Sequence, residues 1–214
     1  INLEKKINNF LNKIGRRLRE KRLIAYIKNT RSFCKEEVLL SIPYVYIPLP
    51  LQPELSSAAL GGEFVDQVKI IETVSQWVPE GVKIYVKENP KQTEAMRPNS
   101  FFERINALNN VTILSGKISS IDLIKNCQCV ALAAGNTGWE SIQMNKPVLT
   151  FGYPWYNSLP GVFSYSNKHS YTEVISGRTS NLSIEKDLKV LSKGFGDGCL
   201  DRDYKALITN FKEK

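Results

Sequence analysis

The chain has 214 residues, 42% hydrophobic and 23% charged, and carries a formal net charge of +8. That is room for one substantial domain, or a domain with an appendage, of ordinary soluble composition. It holds no run near the roughly 18 to 20 uninterrupted apolar residues of a membrane span, and its start lacks the apolar core and cleavage site of a signal peptide.

Because it opens on Ile1 rather than Met, the chain is expected to be a piece of something longer. Its first segment, INLEKKINNFLNKIGRRLREKRLIAYIKN, puts Ile7, Phe10, Leu11, Ile14 and Leu18 at helical spacing. Lys13, Arg16, Arg17, Arg19, Lys21, Arg22 and Lys28 crowd around that stripe. Residues 1–30 therefore read as an amphipathic basic helix or linker, and 31–214 as the main domain. Such a helix can dock on a partner domain or lie on an anionic bilayer surface. Nucleic acid is not expected as a partner, because no aromatic-studded basic sheet or known binding motif follows.

Beyond Thr30 the pattern changes. YVYIPLP (44–50) is a β-rich run ending in prolines, followed by the small-residue loop QPELSSAALGG (52–62). Apolar Val65, Val68, Ile71 and Val74 mark a helix from Phe64 to Trp77, stopped at Pro79-Glu80-Gly81. A strand over 82–88, a helix near 100–108 and a short strand over 110–114 come next. SSIDLIKN (119–126) is a short helix with Ser119 or Ser120 as its cap. Then follow the strand CVALAA (129–134), a helix from Gly138 and the strand PVLTFG (147–152). In the tail, YTEVIS (171–176) reads as a strand, and SIEKDLKVLSKG and 202–214 as helical.

Five strands alternating with four helical stretches argue for a parallel, doubly wound α/β sheet with right-handed crossovers. The nearly all-apolar CVALAA fits a central strand covered on both faces. Cys127 and Cys129 read as structural thiols in a reducing cytoplasm rather than as a metal site, because no second pair or His cluster completes one. His169 reads as a surface loop residue.

Ligands of open α/β sheets bind beyond the carboxyl ends of the strands. Five polar loops converge there: 52–57, 87–90, 115–120, 135–138 and 152–156. Gly135-Asn136-Thr137-Gly138 opens a helix, so its free N–H groups and the helix dipole suit a phosphate or carboxylate. Its spacing matches neither the G-x-G-x-x-G fingerprint nor a P-loop. An alternative at the same turn is a capping box, Thr137 as cap with Glu140 three residues on. Lys87 could neutralise a phosphate and Asn89 could hydrogen-bond one. Glu54 and Glu88 are the strong acid/base candidates on the rim, and a single His makes a hydrolase triad unsuitable.

The ordered motifs YVYIPLPLQPELSSAALGGEFVDQ, IYVKENPKQ, GNTGWESIQMNKPVLTFGYPWY and PGVF resemble the bacterial capsule polysaccharide biosynthesis proteins. That group is similar to the Kdo and related CMP-sugar transferases of surface glycans. The resemblance covers about residues 44–163 and implies the C-terminal, Rossmann-like, nucleotide-sugar-binding half of a GT-B glycosyltransferase. It places Gln52, Pro53 and Glu54 in the loop after the first strand, closed by Ser56 and Ser57. It matches Lys87, Glu88 and Pro90 to a Lys-Glu-His-Pro element in which Asn89 replaces the family's His; an amide donates a hydrogen bond but carries no charge. Ser119 and Ser120 resemble donor-side serines. Gly135, Gly138 and Glu140 match a Gly-Thr-x-Gly-x-Glu turn, with Thr137 one position beyond the place of its Thr and Glu140 near the donor ribose or sugar.

What the resemblance implies is transfer of an activated sugar, CMP-linked and Kdo-like, to a capsule or lipopolysaccharide glycan or glycolipid acceptor. The leaving phosphate would be stabilised without a metal or other cofactor. The acceptor site and catalytic base would lie in an N-terminal half outside this chain, leaving Glu54 as the weak catalytic candidate here and this fragment alone inactive. The expected setting is the cytoplasm, with peripheral contact at the inner face of the cell membrane. Two other readings stay open, a GT-B-like sugar-nucleotide epimerase and a non-catalytic assembly module of a surface-glycan complex.

Overall fold

A computed structural model describes residues 2–54, 57–177 and 181–192. Six strands form one all-parallel sheet: β1 (Tyr44–Pro48), β2 (Lys83–Lys87), β3 (Val111–Leu114), β4 (Cys129–Leu132), β5 (Val148–Thr150) and β6 (Val162–Ser164). Their spatial order is β3-β2-β1-β4-β5-β6, the doubly wound Rossmann-like arrangement. Register is fixed by pairs such as Val45 with Ile84 on one side and with Cys129 on the other.

Around the sheet lie α1 (Asn2–Phe33), α2 (Gln67–Trp77), α3 (Asn99–Asn106), α4 (Ser120–Asn126), α5 (Asn136–Gln143), α6 (Tyr171–Ser176) and α7 (Asn181–Ser192). Strand alternation divides the core into two layers. Val45, Ile47, Ile84, Val86, Cys129 and Ala131 meet α2, α3, α6 and the end of α1. Tyr44, Tyr46, Tyr85, Val130 and Leu132 meet α4, α5 and α7. Cys127 and Cys129 are free, buried and in opposite layers. Burial pushes the Cys127 thiol up to about 12.

Three expectations need correction. The stretch YTEVIS is helix α6, not a strand: Ser170 Oγ accepts the Glu173 N–H, a start signal that outweighs the β-branched residues. A sixth strand, β6, extends the sheet beyond the five expected; it is short and partly buried. The helix expected from Phe64 is broken, a 3₁₀ turn at Gly62–Val65 preceding α2, because Asp66 is extended and its Oδ1 caps Val68 N–H. The expected helix over 202–214 lies outside the described residues, as do Cys199 and Ser56.

Candidate functional site

At its carboxyl edge the sheet reverses winding between β1 and β4, because β2 and β3 lie to one side of β1, and β4, β5 and β6 to the other. A cleft of about 250 Å³ opens at that point. Pro48, Leu49, Pro50, Leu51 and Glu54 line it from the β1 loop, and Asn89 from the β2 loop. Leu132, Ala134, Gly135, Asn136 and Thr137 complete it from the β4–α5 connection. Thus Glu54, Asn89, Gly135, Asn136 and Thr137, expected on the rim from distant segments, share one cavity.

The glycine turn is built differently from a capping box. Helix α5 starts at Asn136, with Gly135 as its cap residue and no side chain hydrogen-bonded to the cap. Thr137 is therefore inside the first turn, where its carbonyl accepts from Ser141 Oγ at 2.6 Å. Glu140 is exposed on the next turn. Gly135 has φ +136°, and a Cβ there would meet nothing within 4 Å, so the conformation calls for glycine while the space above stays open. Gly138 N–H bonds Gly135 O at 3.3 Å, while the N–H groups of Asn136 and Thr137 have no partner among the described residues. Two open donors at the positive end of a helix dipole favour an anion.

Across the cleft, Asn89 Oδ1 accepts the Lys91 N–H at 2.9 Å, leaving its Nδ2 donor without a partner among the described residues. Glu54 is exposed and is the one acidic residue among those lining the cleft. Ser57, buried behind it, folds the loop: its Oγ donates to Leu51 O at 2.7 Å and accepts Glu54 N–H at 3.1 Å. Pro53 follows Gln52 through a cis bond and is exposed. Pro90 sits 3.7 Å from where a Gly116 Cβ would be, so the β2 and β3 loops touch.

Lys87 and Glu88 part company, since neighbours on a strand face opposite ways. Lys87 turns to the α4 layer, where its Nζ donates to Ile118 O and to Ser120 Oγ at 2.8 Å. Burial holds its pKa below the usual lysine value, and no carboxylate pairs with it among the described residues. Tyr46 Oη reaches the same Ser120 Oγ at 3.4 Å, and burial pushes that phenol up to about 12. Ser119 caps α4 by accepting Asp122 N–H at 3.2 Å.

Glu88 turns to the other layer, into a buried network that the sequence did not announce. Arg97 donates to Glu88 through Nε at 2.7 Å and Nη2 at 2.9 Å, and to Gln52 Oε1 and Gln67 Oε1 at 2.7 Å each. Gln92 closes the network by exchanging hydrogen bonds with the Gln52 backbone. Gln52 and Glu88 thus sit outside the cleft and brace the loops that form it. Larger hollows of about 370 and 430 Å³ flank α3, one against α2 and one against α1, on the far side of this network. The switch-point cleft has the better claim, because it alone joins the open donors of α5 to the strand ends.

Sequence reasoning also passed over the aromatic shoulder beside α5. Trp139 and Trp155 lie 5.1 Å apart, and Tyr153 and Trp155 are exposed. Tyr156 Oη donates to Gly135 O at 2.6 Å, tying this shoulder to the glycine turn. The doublet YPWY after a strand ending in Gly152 was the available signal. Among the described residues no cluster of Cys, His, Asp or Glu fits a metal ion. An Asp-x-Asp spacing, Asp201-Arg202-Asp203, lies outside them.

The family model described as capsule polysaccharide biosynthesis protein matches residues 7–191. A search of curated proteins finds no match. Among solved structures, the chain is similar to Thermosulfurimonas dismutans KpsC, beta Kdo 2,4 transferase, at 15% identity and TM-score 0.47, over 78% of this chain and 54% of that one. It is similar to the beta Kdo 2,7 transferase of the same KpsC at 15% identity and TM-score 0.48, over 82% and 61%. A third likeness is to Methanocaldococcus jannaschii UDP-GlcNAc 2-epimerase in complex with UDP-GlcNAc and UDP, at 13% identity and TM-score 0.41, over 83% and 51%. The chain spans between about half and three-fifths of the length of these structures.

Proposed function

Since the chain belongs to the capsule polysaccharide biosynthesis protein family, we propose that its switch-point cleft binds the nucleotide-sugar donor of a glycosyltransferase. The observation that carries this reading is the pair of open N–H groups on Asn136 and Thr137 facing Asn89 and Glu54 in one cleft. The donor phosphate sits at the start of α5, where backbone donors and the helix dipole meet it. Asn89 Nδ2 donates to the same phosphate, in the place of the imidazole that the family's motif carries. Glu54 accepts from a ribose or sugar hydroxyl. Lys87, buried on the neighbouring strand end without a carboxylate, adds a positive field.

In this reading the chain is the donor half of a GT-B enzyme, and residues 31–214 are its nucleotide-sugar domain. Transfer breaks the bond between the anomeric carbon and the nucleotide phosphate. Charge then grows on the phosphate oxygen that departs, and donors fixed before the reaction stabilise it more than the ground state. The acceptor, a capsule glycan or glycolipid, and the base that deprotonates it are supplied from outside the described residues. A CMP-activated, Kdo-like sugar is the proposed donor.

Titration calorimetry of the chain with CMP, UDP and GDP tests this. Measurable binding of CMP, weakened about tenfold in Lys87→Met while the fold is kept, is the expected result. Failure of all three nucleotides to bind the folded chain would remove the donor-site reading.

A further inference from the structure

Helix α1 holds ten of the chain's 29 Lys and Arg and two of its 21 Asp and Glu. The whole +8 charge therefore resides in this helix, and the rest of the sequence is balanced, nineteen against nineteen. The helix is tied to the body at its carboxyl end. Tyr26 and Phe33 pack on Phe102 at 6.0 and 5.9 Å between ring centroids, and Asn29 bonds Asn99. Further up, Arg19 reaches Glu94 at 2.9 Å. Every residue from Phe10 to Ile24 is nevertheless exposed.

On that exposed length, Ile7, Phe10, Leu11, Ile14 and Leu18 form a single apolar stripe, with Phe10 at 63% and Leu11 at 57% exposure. By helical geometry, Lys13, Arg17 and Lys21 border one edge and Arg22 the other. Apolar side chains left in water at this spacing call for a covering surface. A second copy is a poor cover, since it would bring +8 against +8 at close range. A surface that is apolar beneath and anionic at its edge matches both features at once. The helix is not apolar enough to cross a membrane, but it has the make-up of one that lies in the headgroup plane.

We propose that the amino-terminal half of α1 binds an anionic phospholipid bilayer surface, its stripe in the acyl boundary and its basic edges among the headgroups. The docked carboxyl end then holds the domain at that surface in a fixed orientation.

Co-sedimentation of the 214-residue chain with phosphatidylcholine vesicles, with and without phosphatidylglycerol, is the test. Binding should require phosphatidylglycerol. It should fall when NaCl rises from about 0.1 M to about 1 M, which shortens the Debye length from ~10 to ~3 Å. Two exposed pairs of substitutions, Leu11→Ser with Ile14→Ser and Lys13→Glu with Arg17→Glu, should each lower the partition coefficient about tenfold or more. Circular dichroism and the melting midpoint verify that both variants keep the fold. Equal binding to neutral vesicles, no binding, indifference to salt, or parent-like binding by both variants would overturn the proposal. So would self-association abolished by Leu11→Ser with Ile14→Ser, which assigns the stripe to a second copy. Binding of polyglutamate without binding of vesicles would assign it to an acidic protein surface, and equally overturn it.

Discussion

Tyr156 Oη donates to the carbonyl of Gly135 at 2.6 Å, and a Cβ on Gly138 would collide with that Tyr156 hydroxyl. The loop after β5 thus holds the glycine turn from outside, and Gly138 is the space through which it does so. Gly138→Ala forces Tyr156 away and should cost about 1–3 kcal/mol by overpacking. Tyr156→Phe removes one hydrogen bond and should cost about 0.5–1.5 kcal/mol. Urea unfolding of both variants checks the order; a Gly138→Ala protein as stable as the parent would mean that the turn is not so held.

Gly135 and Asn136 separate backbone shape from backbone donation. At φ +136° any side chain is strained, so Gly135→Ala should cost about 1–3 kcal/mol although the space above it is empty. Asn136→Pro deletes one open N–H at the first helical position, where proline is tolerated, and should leave stability nearly unchanged. Its expected effect is on the ligand alone, a loss of about tenfold in nucleotide affinity, the size of one charge-assisted hydrogen bond. Calorimetry beside a melting curve reads both quantities.

The Arg97 side chain is fully buried, and Glu88 nearly so. Arg97→Met strands the Glu88 carboxylate and the Gln52 and Gln67 oxygens, and should cost about 3–5 kcal/mol. Adding Glu88→Met should return part of that loss, because two apolar groups need no partner. Denaturant midpoints of the single and double variants decide the matter.

Several phenols are buried where ionisation is disfavoured. Burial first of all lifts Tyr26, Tyr46 and Tyr171 from 10.0 to about 12, and raises Tyr44 and Tyr156 as well. A group whose folded pKa is raised stabilises fully below its unfolded value and loses that contribution as pH rises through the folded one. The phenol contribution to stability should therefore be constant below about pH 10 and be lost between about pH 10 and 12. Melting midpoints across that range, with tyrosinate absorbance followed in parallel, measure it.

The first five strands, their parallel arrangement and the convergence of Glu54, Asn89 and Gly135–Thr137 were legible because hydrophobic runs and Gly or Pro breaks are local signals. The alternation rule could also have separated Lys87 from Glu88, since neighbours at a strand end face different layers. Arg97 was not legible: it sits in a loop, 45 residues from Gln52, and only the folded chain joins them. The capping box at Thr137 failed because the helix starts two residues earlier than expected, which moves Thr137 from the cap into the first turn. The Ser170 to Glu173 start of α6 was visible in the sequence but was outweighed by the β-branched residues of YTEVIS.

The most direct test of the donor cleft is the backbone amide spectrum of the chain titrated with CMP. The Asn136 and Thr137 N–H signals, with Gly135 and Asn89 nearby, should shift together and saturate, while Gln67 and Arg97 in the buried network stay in place. Shifts centred on the hollows beside α3, with Asn136 and Thr137 unmoved, would contradict the assignment of the cleft.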